Sequence, residues 1–105
     1  SRGGVDCSGF TGNIYRKVYR VKLHRSVNDI YTKDIEKVRR GQLREGDLVF
    51  FKLSGKRKPS HMGIYLKDGY FIHASTSKGV MISSLNSDYY RKSFVSGGRV
   101  TGIRR

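Results

Sequence analysis

At Leu48 the hydrophobic period of this chain changes, and that change orders the whole architecture. Upstream, Phe10, Ile14 and Val18 recur at i, i+4 and i+8, the stripe of a helix over residues 8–19 with its apolar side buried. Ser26, with Asp29 three residues on, reads as the capped start of a second, short helix over 27–36 carrying Ile30 and Ile35, with Val38 just beyond. Residues 41–47 form a turn-rich connector from which Leu43 plugs the core. From Leu48 onward the pattern is extended. Leu48-Val49-Phe50-Phe51 is a continuous apolar run of buried-strand length. Further strands are expected over 61–66, 70–75, 80–83 and 99–103, with an exposed basic loop at 54–60 and a turn at Asp68-Gly69. Residues 89–94 read as a short helical or irregular crossover. These elements compose one helix-first α+β domain over 1–105, with a small, mainly antiparallel sheet.

The only cysteine, Cys7, sits where the first helix begins. Asp6 is suited to cap that helix, and a thiol in a first helical turn is favoured as thiolate by the dipole and the unpaired N–H groups. A small buried cysteine filling a gap is the alternative. His61 and His73 lie at matching ends of the expected hairpin. Pairing Ile64 with Ile72 across a three-residue loop, Lys67-Asp68-Gly69, puts both histidines on one face, with Gly63 leaving them room and Gly69 taking a positive φ. That face is the one a helix bearing Cys7 is expected to cover. Cysteine, base and a third group that fixes the base are the minimum for thiol-dependent acyl transfer; the same three side chains could also bind zinc. His24, in a basic linker, reads as an exposed bystander.

The chain carries 22 Lys and Arg against 8 Asp and Glu, a formal charge of +14. Arg16, Lys17, Arg20, Lys22 and Arg25 form one cationic cluster and Lys56-Arg57-Lys58 another. Such a balance points to an anionic partner: nucleic acid, a membrane surface or an anionic envelope polymer. A non-enzymatic basic module is therefore the competing function, although no nucleic-acid-binding motif is present. One cysteine excludes an internal disulfide. No apolar run approaches the roughly 20 residues of a membrane span, and an opening at Ser1 without Met suggests a trimmed chain.

Four blocks, Asp6-Cys7-Ser8-Gly9-Phe10, Gly46-Asp47-Leu48-Val49-Phe50-Phe51, His61-Met62-Gly63-Ile64-Tyr65 and Phe71-Ile72-His73-Ala74-Ser75, together resemble the NlpC/P60 family of cell-wall cysteine peptidases, in that family's order and spacing. The resemblance implies a papain-like fold, no cofactor and no metal. It also implies hydrolysis of peptidoglycan stem peptides after γ-linked D-glutamate and before the diamino acid. Amide hydrolysis elsewhere in the wall and acyl transfer are the same-fold alternatives. Cys7 would be the nucleophile, His61 the general base and His73 the residue that orients His61. Asp6, Ser8 and Ser75 match groove-lining positions, where Asp6 would meet the ammonium of a stem peptide. The implied setting is the bacterial periplasm, envelope or exterior, as a monomer that a lipid anchor in a longer parent would tether. Nucleic acid is not expected as a partner. Family members carry a helix and a Tyr followed by Gly-Gly upstream of the cysteine block, and this chain starts too late to contain them, which leaves the specificity pocket open.

Overall fold

The computed structural model describes residues 7–102; Asp6, with its capping and groove roles, and Ile103 lie outside the described residues. Helix α1 spans Cys7–Ile14 and runs into a π-helical turn, Tyr15–Tyr19, which Arg20 ends with a left-handed φ of 59°. Its buried face is Thr11 and Tyr15, with Cys7 half-buried in line with them at four-residue spacing. The expected stripe is displaced: Phe10 and Ile14 are only half-buried and Val18 is 65 % exposed. The wider π turn rotates Val18 away from the sheet, while Tyr15 is drawn inward and its hydroxyl donates to the Gly46 carbonyl.

Ser26 caps the second helix as expected, its Oγ accepting from the Asp29 N–H at 3.0 Å. That helix is shorter than its sequence suggests. Helix α2 covers Val27–Asp29, a π-helical turn covers Ile30–Asp34, and Ile35–Val38 is already strand β1. Ile35 pairs with Val100, so sheet pairing decides a β-branched stretch that helical periodicity alone would have claimed. After a 3₁₀ turn at Arg40–Gln42 come β2 (Leu48–Phe51), β3 (His61–Tyr65), β4 (Tyr70–Ser75), β5 (Gly79–Ser84), α3 (Asp88–Ser93) and β6 (Phe94–Val100). The last strand thus starts at Phe94 rather than at residue 99. The sheet order is β1-β6-β2-β3-β4-β5, and every neighbouring pair is antiparallel.

Strand β2 is central, and all four of its side chains are buried. They alternate between two apolar layers. Leu48 and Phe50 pack with Met62, Ile64 and Tyr15 on the α1 side. Val49 and Phe51 pack with Phe71 and Leu85 on the other, where Tyr90 of α3 closes the layer. Burying each Phe contributes about 2 kcal/mol of transfer free energy. At the head of β2, fully buried Asp47 accepts from Arg99 Nε at 3.0 Å, Arg99 Nη2 at 2.7 Å and the Arg44 N–H at 2.8 Å, fastening β2 to β6.

The β3–β4 hairpin has the three-residue loop read from the sequence. Ile64 pairs with Ile72 and Tyr65 with Phe71, and the Leu66 N–H donates to the Tyr70 carbonyl at 2.8 Å. Gly69 takes a φ of 85°, and Asp68 joins it in the left-handed region at 55°.

Candidate active site

The hairpin register brings the two histidines together. His61 opens β3 opposite Phe51, and His73 lies on β4 opposite Met81. His61 Nε2 and His73 Nδ1 are 2.8 Å apart, with ring planes at 83°. Gly63 makes this approach possible. A Cβ there would stand 2.7 Å from the Ile72 carbonyl oxygen, 2.8 Å from the Phe71 ring and 3.0 Å from His73 Cβ. Both rings stand in the aromatic layer of Phe51, Phe71 and Tyr90. This is the sheet face opposite α1, not the face that α1 covers. Cys7 packs against the α1-side layer, and it lines one groove with His61.

That groove, of about 470 Å³, is bounded by Cys7, His61, Ser75, Lys56, Tyr89 and Tyr90 among others. Ser75 thus faces it, though its Oγ also accepts from the Ser77 and Lys78 N–H groups in the β4–β5 turn. Ser8 lines a neighbouring hollow instead, with Asn13, Arg16, Lys22 and Arg25. His24 is bound outside the site, its Nδ1 2.7 Å from Asp34 Oδ1. Among the described residues, no three His, Cys, Asp or Glu side chains converge as a metal ligand set would.

Burial, reinforced by the charge His73 would carry, pushes the His61 pKa down to about 4, and burial lowers His73 too. Both rings are therefore neutral near pH 7, as an imidazole must be to accept a thiol proton. With Nε2 engaged by His73, His61 has Nδ1 for that task. The third link continues beyond His73, whose Nε2 is 2.8 Å from Ser83 Oγ. Tyr90 leans on both histidines with its phenol pKa raised, by burial first and by Tyr89 second, against a hydrogen bond from Ser83 that lowers it. Sequence reasoning missed Ser83 and Tyr90, and read Lys56 only as part of a basic cluster, not as a groove residue. Only the pairing of Phe71 with Ser83 could have marked Ser83, and that pairing rests on the β4–β5 turn length.

Known proteins match the chain along most of its length. The sequence model of the NlpC/P60 family matches residues 1–99. The probable endopeptidase NlpC of Escherichia coli is 41 % identical over 100 residues, covering 95 % of this chain and 64 % of that protein. The murein DD-endopeptidase MepS/murein LD-carboxypeptidase of the same species is 39 % identical over 100 residues, covering 95 % and 52 %. The chain thus spans about half the length of the curated relatives it matches. Among solved structures, an NlpC/P60 family protein from Bacillus cereus superposes with a TM-score of 0.81 at 31 % identity, over 90 % of this chain and 31 % of that one. RipD of Mycobacterium tuberculosis, described as a non-catalytic NlpC/P60 domain protein adapted to peptidoglycan binding, superposes at 0.73 with 26 % identity, over 92 % and 67 %. With the cysteine block, the Gly-Asp strand and the paired histidines carried on this papain-like sheet, the chain belongs to the NlpC/P60 family.

Proposed function

We propose that this domain is a cysteine endopeptidase of the bacterial envelope that cleaves peptidoglycan stem peptides after γ-D-glutamate and before the diamino acid. The observation that carries the reading is the 2.8 Å bond between His61 and His73 beside a groove that Cys7 shares with His61. Cys7 passes its thiol proton to His61 Nδ1, and the thiolate attacks the scissile carbonyl carbon. Backbone N–H groups at the start of α1 stabilise the resulting oxyanion. Protonated His61 then gives the proton to the departing amine as the C–N bond breaks. Water, deprotonated by His61, hydrolyses the thioester and restores the thiol. His73 holds the His61 ring in place throughout. Ser75 acts on the groove side and Ser8 borders the neighbouring basic hollow, while the family resemblance alone assigns Asp6 to the stem ammonium.

Mass spectrometry of muropeptides digested by wild type and by Cys7→Ala tests this. The expected wild-type fragments separate at γ-D-glutamate, and Cys7→Ala yields none. Persistent cleavage by Cys7→Ala overturns the mechanism. The MepS relative is named for DD-endopeptidase activity, and fragment masses decide between that bond and this one. A binding role like that described for RipD predicts no cleavage and an ordinary thiol, which iodoacetamide titration near the roughly 8.5 of an unperturbed cysteine would reveal.

A further inference from the structure

Neutral histidine pairs have a directional problem. Each ring carries one N–H, and two rings joined nitrogen to nitrogen can be ordered either way. In one order His61 carries its proton on Nε2, donates it to His73 Nδ1 and keeps a lone pair on Nδ1 for Cys7. In the other, His73 Nδ1 is the donor, and His61 carries its proton on Nδ1, the nitrogen that must accept. The 2.8 Å contact fits both orders equally. Something beyond His73 must break the tie.

Ser83 is placed to do so. It lies on β5 opposite Phe71, on the face that holds both histidines, and its Oγ is 2.8 Å from His73 Nε2. His73 is fully buried, so Nε2 cannot exchange this partner for water without opening the layer. We infer that Ser83 is a positioning residue: its oxygen accepts from His73 Nε2–H, which leaves His73 Nδ1 as an acceptor and so forces the proton of His61 onto Nε2. Ser83 lowers the Tyr90 phenol pKa, as a hydroxyl with its proton turned toward that oxygen does, so it need not turn its donor toward His73. The bonds then run one way, from His61 through His73 to Ser83, beside a tyrosine on the groove wall. A hydroxyl at 83 thereby selects the reactive tautomer two residues away without touching substrate.

This inference rests on the proposed peptidase for its kinetic consequence, but its core is readable without catalysis. Imidazole ¹⁵N chemical shifts of the labelled chain report which nitrogen of His61 and of His73 carries the proton. Wild type should show both rings protonated on Nε2. Ser83→Val, which resembles Thr in shape but has no hydroxyl, and Ser83→Ala should each show mixed tautomers at both histidines. Ser83→Thr should restore the wild-type shifts. On a stem peptide, kcat should fall about tenfold in the Val and Ala variants, the rate equivalent of one net hydrogen bond, with KM within about twofold and recovery in Thr. Unchanged tautomers in folded Ser83→Val overturn the inference, whatever happens to kcat. Absence of cleavage by wild type would remove the proposed function and leave the tautomer comparison to decide the role of Ser83.

Discussion

His61 Nε2 and His73 Nδ1 meet at 2.8 Å across two neighbouring strands, although twelve positions separate them in sequence. Strand register alone aligns them, and a hairpin loop one residue shorter or longer would turn His73 to the opposite face.

Removing His73 should therefore separate two contributions. His73→Ala deletes the partner of His61 and empties space beside Phe71 and Tyr90. His73→Gln keeps a polar group in reach of His61. We expect kcat on a stem peptide to fall on the order of 10²-fold for Ala and about tenfold for Gln. Equal losses in steady-state kinetics would mean that His73 serves packing only.

Stability should depend on pH through the same pair. The His61 pKa lies near 4 in the folded chain, against 6.5 when exposed. Between those values the unfolded chain binds a proton that the folded chain refuses. Stability present above pH 6.5 is thus lost as pH falls through about 4, by on the order of 3 kcal/mol from His61. Thermal melts at pH 4 to 7 should show this slope, flattened in His61→Gln. An identical slope in the variant would assign it to other groups.

Gly63→Ala should cost about 1–3 kcal/mol, because two of the three atoms its Cβ meets belong to the backbone and Cβ positions of β4 and cannot swing away. The loss should appear in urea midpoints together with a shifted His73 imidazole signal. A variant of unchanged stability would show that the strands separate without strain.

Arg99→Ala leaves the buried Asp47 carboxylate without its guanidinium. The expected loss is about 2 kcal/mol, below that of a fully enclosed pair because Arg99 retains solvent contact. Chemical denaturation reads it as a lower midpoint at constant slope. A loss under about 0.5 kcal/mol would class the pair with ordinary surface bridges.

Binding to whole sacculi should weaken steeply with salt, since a charge of +14 spread over exposed loops is screened once the Debye length falls to about 8 Å. Cleavage of a soluble stem peptide should respond far less, through Lys56 at the groove. Equal sensitivity in cosedimentation and peptide assays would locate the charge effect in the groove itself.

What the sequence determined by itself was whatever is encoded within a few residues. The apolar run Leu48–Phe51, the Ser26 cap, and the odd-length loop with Gly69 at positive φ are local rules of burial, capping and turn geometry, and the structure has all three. The loop in turn fixed the histidine pairing. Tertiary structure decided what depends on partners far along the chain. Val18 is exposed because Tyr15, bonded to Gly46, sets the rotation of α1. Ile35–Val38 is a strand because β6 offers it an edge. Strand β6 itself was only partly legible, since Ser96-Gly97-Gly98 has little strand preference. Its two glycines instead leave space that Leu43 and Ile35 fill from opposite faces of the sheet. The face that holds the histidines was decided the same way: α1 packs on the layer of Met62 and Ile64, the histidines stand in the other layer, and Cys7 and His61 come together along the groove they share.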